Sequence, residues 1–184
     1  EKIESITTRG KWIIIYLTNY ALLTHLRMEG RFYFRKKGDS LSKHEHVSLL
    51  LDDNIEMRFH DVRKFGRMIL LPKYEVLNIK PLSDLGYEFD DSRLTEEYLL
   101  AKFKNKSTPI KTVLLDQSII AGIGNIYDDE ILYQSHINPL KPAKEINSSE
   151  AIEIIKNTKI ILEKAIKKGG TTIKSFESSE GVHG

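Results

Sequence analysis

Two glycines one residue apart precede an asparagine in residues 119–130 (IIAGIGNIYDDE). That spacing suits an anion site. Glycine lets the backbone turn tightly and approach a ligand closely. The unpaired N–H groups and the dipole at a helix start attract negative charge. A phosphate would fit a corner built from Gly122, Gly124 and Asn125, with the Asn125 side chain as a further donor. The same residues also suit an ordinary glycine-rich turn between helices, capped by Asn125.

Two further segments carry groups suited to a duplex. In His25-Leu26-Arg27-Met28-Glu29-Gly30, an Arg and a Met follow the end of an apolar run, where loop residues on a rigid sheet commonly bind ligands. The bland alternative folds Met28 into the core and leaves Arg27 in solvent. In Asp61-Val62-Arg63-Lys64-Phe65-Gly66, a basic pair adjoins a Phe. A planar guanidinium can hydrogen-bond base edges, and a ring can wedge between stacked bases. The alternative is a charged hairpin with Phe65 packed underneath. Lys11 follows Arg9-Gly10 at the mouth of a strand, and Lys111 falls in the first turn of a helix, where its charge opposes the dipole. His44 and His46 alternate at a strand start, as ligand-facing groups or as satisfied structural histidines.

These groups need two kinds of scaffold. Up to about residue 72 the apolar residues run or alternate with a period of two. Trp12–Leu17 (WIIIYL) reads as a buried strand, followed by 22–26, 31–35, 46–51, 55–60 and 68–71. In residues 55–60, Ile55, Met57 and Phe59 share a face. Turn-formers separate these runs, so about six antiparallel strands are expected, as a sandwich or open barrel. Beyond residue 91 helical signals take over. Thr95-Glu96-Glu97 opens a helix running through Phe103. Thr108 followed by Pro109 opens another through Gln117. Asn125 caps a third, with Asp128, Asp129 and Glu130 in its first turns. Asn147 and Glu150 resemble a capping box for the last, which places Ile152, Ile155, Leu162 and Ile166 on one face and stops at Gly169-Gly170. The expected fold is α+β: an N-terminal antiparallel β-sandwich over residues 1–86, a linker at 87–94 and a helical domain at 95–184.

Composition narrows the function. The chain has 184 residues, with 28 Lys plus Arg against 26 Asp plus Glu. A polycationic tail is excluded, and nucleic-acid binding must come from how charge is placed. There is no Cys, which excludes disulfides, thiolate catalysis and Cys-based zinc sites. The six His residues show no tight metal-ligand spacing. No apolar run approaches the roughly 18 residues of a membrane span, and no signal peptide is visible, so a cytoplasmic chain is expected.

Together the segments RGKW, HLRMEGRF, KHEHV, DVRKFG, PLSDLG, IKTVLLDQ, AGIGNIYDDE and GGTTI resemble, in order and over essentially the whole chain, the formamidopyrimidine-DNA glycosylase family. That resemblance implies a bacterial, nucleoid-associated, monomeric base-excision repair enzyme. It would flip oxidised purines (8-oxoguanine, formamidopyrimidines) out of double-stranded DNA, remove them, and act as an AP lyase. It implies that Met28 fills the vacated space, Arg63 hydrogen-bonds the orphaned cytosine and Phe65 wedges the stack. Lys11, His25, Arg27, His44, Lys111 and Asn125 match residues that grip phosphates or line the lesion site, and Lys11 is also the proton donor during strand cleavage. Gly124 lies in the 122–125 turn that matches the centre of the helix-two-turn-helix. The tail around Gly181 resembles the loop that closes over the everted base.

The departures carry consequences. The family's nucleophile is an N-terminal proline followed by glutamate, and the chain contains no Pro-Glu pair. The family's zinc is held by a C-terminal four-Cys finger, for which this chain has no ligands, so no cofactor is expected in it. A further basic DNA contact of the family is Ser107 here, with Lys106 beside it as the substitute. The 184 residues alone are therefore expected to be inactive. Alternatives are an endonuclease VIII-type glycosylase for oxidised pyrimidines, a poorer match at HLRMEG and DVRKFG; a non-catalytic damaged-DNA-binding module of the same descent; and an unrelated RNA-binding β-plus-helix protein.

Overall fold

The computed structural model describes residues 1–170; the loop around Gly181 lies outside the described residues. The chain divides into two units. The first holds Glu1–Thr7 and Trp12–Lys73, joined by Gly169 and Gly170; the second holds Thr8–Lys11 and Tyr74–Lys168. The division falls after Lys73, ahead of the boundary at residue 86 that composition indicated. The reason is burial: Val76 and Leu82 are buried although their surroundings are polar and aperiodic. Nor is 87–94 a free linker, because Tyr87 bridges to Ile120 and Leu94 enters the helical core.

The first unit contains seven strands, one more than the apolar runs indicated. They are β1 (Ile3–Arg9), β2 (Trp12–Leu17), β3 (Tyr20–His25), β4 (Arg31–Lys36), β5 (Glu45–Leu50), β6 (Ile55–His60) and β7 (Arg67–Pro72). They form a four-stranded sheet in the order β1-β2-β3-β7 and a three-stranded sheet in the order β4-β6-β5. The unexpected strand is β1, an edge strand exposed along nearly its whole length. Its two isoleucines, Ile3 and Ile6, sit three apart and so fall on opposite faces. The β2 run is buried as its composition indicates, with Trp12, Ile14 and Ile15 inside and Ile14 opposite Leu23 of β3. Full burial of such a side chain contributes roughly 1.5–3 kcal/mol. From the second sheet Met57 and Phe59 turn inward, while Ile55 is only half-buried.

Arg58, between Met57 and Phe59, is also buried, and the pattern of β6 gives no warning of it. Its guanidinium bonds the carboxylates of Glu56 (2.9 Å) and Glu45 (3.0 Å) and the carbonyls of Asp39 (2.7 Å) and Ser40 (3.1 Å). Burial of a charge is tolerable only when it is paired in this way. The Ser42 N–H, with Arg58 adding to it, holds the Glu45 carboxyl below its ordinary value against the opposing effect of burial. The Ser48 hydroxyl and then Arg58 do the same for Glu56. A carboxylate with a lowered folded pKa contributes stability above its ordinary value of 4.5, and that contribution is lost as pH falls through the lowered one. Arg58→Met is therefore expected to destabilise the unit at neutral pH, with the gap to the parent narrowing below about pH 4.5. Urea melts across acid pH would refute this if the gap stayed constant.

The second unit packs α1 (Glu96–Phe103), α2 (Ile110–Leu114), α3 (Asn125–Gln134) and α4 (Ser148–Lys167) around one apolar core. Thr95 caps α1 by accepting the Tyr98 N–H, and Asn147 with Glu150 forms the capping box of α4. Three helix details differ from expectation. In α2, Pro109 is the N-cap with extended ψ, because residues 108–109 pair with 142–143 as a short ribbon. That helix ends at Leu114, where the Gln117 amide takes the Leu115 carbonyl. In α3 the cap is Gly124, whose carbonyl accepts the Asp128 N–H, and Asn125 is the first helical residue with no capping bond. In α4 the buried face is centred on Ala151, Ile154, Thr158 and Leu162, so Ile152 and Ile166 lie outside it and are exposed. The helix stops at Gly169, whose φ of +74° is left-handed.

Candidate nucleic-acid interface

In the first unit the interface is built from two crossovers between the sheets. Residues 26–30 carry the chain from β3 to β4, and residues 61–66 carry it back from β6 to β7. His25 pairs with Arg67, and Arg31 pairs with His60. The two crossovers therefore leave the same end of the sheets side by side. This corrects the picture of 61–66 as a hairpin, since β6 and β7 belong to different sheets.

Phe59 lies beneath both loops. A methyl group on Gly30 would come within 2.9 Å of the Phe59 Cζ atom, and one on Gly66 within 2.5 Å. Both positions exclude any side chain, so both loops close directly on one ring. Above them Met28 is 70% exposed and Phe65 54% exposed. Phe65 is thus outside the core. The Arg63 guanidinium lies 4.8 Å from the centre of its ring, a cation–π pair. Arg27 adopts a left-handed φ of +55°, and its N–H donates to His25 Nδ1 at 3.0 Å. That bond leaves the proton of neutral His25 on Nε2. The His25 ring also stands edge-on to Trp12 at 5.0 Å. His44 precedes β5, accepts the Asp61 N–H through its carbonyl, and stands edge-on to His60 at 5.7 Å. Burial and then His44 push the His60 imidazole below its ordinary value.

In the second unit the glycine corner is clamped before α3 begins. Gly122 has φ +102°, which L side chains avoid. Gln117 Oε1 accepts the Gly122 N–H (2.9 Å), while Gln117 Nε2 donates to the carbonyls of Leu115 (3.0 Å) and Ile123 (2.9 Å). Segment 85–88 joins this corner to the turn bearing Lys11. Gly86 N–H donates to the Gln117 carbonyl, and Ala121 N–H to that of Tyr87. Arg9 donates to the carbonyls of Leu85 and Gly86, and Gly10 N–H donates to Glu88.

The result is a lysine at a helix start. A methyl on Gly124 would stand 3.2 Å from Lys11 Nζ. The ammonium thus sits near the start of α3, where the helix dipole is positive and anions are favoured. Asn125 is exposed beside it. Lys111 of α2 bonds Asp129 of α3 at 2.5 Å, a contact that raises the Lys111 pKa. Lys106 lies half-buried on the ribbon, where its carbonyl accepts the Lys144 N–H and its charge helps lower the Asp116 carboxyl.

The sequence reading missed Phe59 and Asp61 beneath the loops, Glu88 and Gln117 around the corner, and Asp128 within α3. Asp128 is fully buried and neither of its oxygens has a partner. No three His, Cys, Asp or Glu side chains come together to hold a metal ion among the described residues. No helix among them is long and apolar enough to cross a membrane.

The second unit thus presents a cation beside a helix start, and the first presents exposed Met, Arg and Phe side chains on paired loops, groups of the kind that can meet phosphates and bases. Comparison with known proteins gives that class a family. Residues 1–68 match the formamidopyrimidine-DNA glycosylase N-terminal domain, and residues 85–177 match the formamidopyrimidine-DNA glycosylase H2TH domain. The chain is 43% identical over 184 residues to formamidopyrimidine-DNA glycosylase of Bacillus cereus, covering all of this chain and 67% of that protein. The Lactococcus lactis protein in complex with DNA containing an abasic site has a TM-score of 0.87 at 32% identity, over 96% of this chain and 65% of that one. A variant of it with Fapy-dG-containing DNA gives 0.87 at 31% identity, with the same coverage. The chain belongs to the formamidopyrimidine-DNA glycosylase family, and it spans about two thirds of the length of these relatives.

Proposed function

We propose that this chain is part of a base-excision repair DNA glycosylase with AP lyase activity, which removes oxidised purines from duplex DNA as a monomer. The observation that carries this reading is the pair of loops closed on Phe59, with Met28, Arg63 and Phe65 exposed above it. Extruding a base costs a few kcal/mol of stacking, which groups inserted into the duplex offset. Met28 takes the vacated space, Phe65 wedges the stack, and Arg63 reads the base left behind. His25, Arg27 and His44 hold the strand near the lesion, and Lys106, Lys111, Gly124 and Asn125 hold phosphates. Lys11 protonates the departing group during strand cleavage, and its place at the α3 start suits contact with an anionic backbone. A proline amine supplied outside these residues attacks the sugar, so the 184 residues alone do not cut. The protein acts in the bacterial cytoplasm, at the nucleoid.

The test is strand nicking by the intact protein on an 8-oxoguanine:cytosine duplex, with borohydride trapping of the covalent complex. Nicking and trapping are expected, and Lys11→Ala is expected to slow nicking about 10²–10⁴-fold, the range of general acid catalysis. Cutting only at oxidised pyrimidines would overturn the purine assignment. Trapping by the 184 residues alone would overturn their inactivity. Asn125→Ala and Lys111→Ala are expected to weaken binding to damaged and undamaged DNA alike. Lys111→Ala should also reduce the slope of log affinity against log salt by ~0.9, whereas Asn125→Ala, which removes no charge, should leave the slope nearly unchanged. A loss confined to damaged DNA would show that these residues read the lesion and not the backbone.

A further inference from the structure

The loop that reads the opposite base is exposed at four successive residues, Val62, Arg63, Lys64 and Phe65. Its two ends are fixed by one side chain. Asp61 is 1% exposed, and its carboxylate spans the loop: Oδ1 accepts the Arg63 N–H at 3.1 Å and Oδ2 accepts the Gly66 N–H at 2.7 Å. The backbone of Asp61 is pinned in turn, since its N–H donates to the His44 carbonyl and its own carbonyl bonds His46 Nε2 at 2.8 Å. Side-chain packing does not replace this clip. An open pocket of about 410 Å³ lies beside the loop, lined by His46, Phe59, Asp61, Lys64 and Gly66 among others. Lys64 holds a left-handed φ of +58°, a conformation that costs a non-glycine residue energy unless its surroundings enforce it.

We propose that Asp61 is a positioning residue for opposite-base specificity: by holding the Arg63 and Gly66 amides on its two carboxylate oxygens, it fixes the height and direction of Arg63 over the orphaned base. This rests on the reading of Arg63 given above. It adds that discrimination is set by a buried acid that never touches DNA. The carboxylate is an acceptor at both ends of the loop, and no neutral side chain of its size offers the same pair. Asparagine keeps one acceptor oxygen and turns a donor toward the other amide. Alanine keeps neither.

The experiment measures single-turnover excision of 8-oxoguanine opposite cytosine and opposite adenine by the intact protein, for the parent, Arg63→Ala, Asp61→Ala and Asp61→Asn. The ratio of the two rates is independent of the folded fraction, so loss of structure alone does not move it. Arg63→Ala is expected to lower the cytosine preference about tenfold, within the range for losing a bidentate base contact. Asp61→Ala is expected to lower it nearly as far and Asp61→Asn about threefold. If Asp61→Ala does not fold, the same reading is taken from Asp61→Asn. An unchanged ratio in the Asp61 variants beside a lowered one in Arg63→Ala would overturn the role of Asp61 and leave that of Arg63 standing. An unchanged ratio in Arg63→Ala would overturn the reading of the loop itself.

Discussion

Asp128→Asn is expected to make the helical unit more stable at about pH 8 by roughly 4 kcal/mol, with little difference near pH 4. Asp128 lies in the first turn of α3, where the helix dipole favours an acid, yet burial pushes its carboxyl up from 3.8 to about 7. The neighbouring charge of Asp129 adds to the rise and Lys111 opposes it. Burial dominates because neither oxygen finds a partner. The sign follows from linkage. Below about 3.8 the group is neutral in both states and costs nothing electrostatically. As pH rises toward about 7 the unfolded chain releases the proton and the folded one does not, so stability falls, and above about 7 the loss is complete. A gap of about three units at 1.36 kcal/mol each gives the figure. Asparagine cannot ionise, so its curve lacks this slope. Urea melts followed by helical circular dichroism at about pH 4, 6 and 8 check it. Parallel curves for parent and variant would show that the carboxyl is solvated.

The same residue shows where sequence stops informing. An acid in a first helical turn reads as a favourable dipole partner, and that reading locates α3. Whether the acid faces water depends on which side of α3 meets α4, and α4 itself presents a face shifted from the one its isoleucines suggest. Ile152 and Ile166 are exposed, while Thr158 and Asn157 are buried, Thr158 because its hydroxyl bonds the Ile154 carbonyl within the helix. Arg58 hides similarly: alternation puts it outward, and only the loop carbonyls of Asp39 and Ser40 reveal that its outward face is covered. Local signals did carry the strands β2 to β7, the caps of α1 and α4, and the two segments that hold Met28, Arg63 and Phe65. They did not carry the meeting of those segments over Phe59. That follows from β3 pairing with β7 and β4 with β6, which is a property of topology and not of any window of residues.

Gln117→Leu is expected to destabilise the helical unit by about 3 kcal/mol and to weaken DNA binding by the intact protein at least tenfold, on damaged and undamaged duplexes alike. Sequence signals place Gln117 at the end of a helix. It lies beyond the helix and serves as the internal partner of the turn that follows. Its amide closes three backbone bonds, to Leu115, Gly122 and Ile123. Leucine matches its size and offers none of them. Leaving a buried backbone group unpaired costs about 1–3 kcal/mol, and the Gly122 N–H and Ile123 carbonyl, both part-buried, each lose their bond to this side chain. The effect on binding follows from position. The residues of the corner lead directly into Gly124 and Asn125, so under the proposed function a relaxed turn would no longer present the start of α3 and Lys11 to the DNA backbone. Gln117→Glu separates the two consequences. Its carboxylate can still accept the Gly122 N–H but repels the two carbonyls, so it should fall between parent and leucine in stability and in affinity together. Affinity that holds while stability drops would mean that the corner keeps its shape through glycine geometry alone, and that the phosphate is gripped elsewhere in the helical unit.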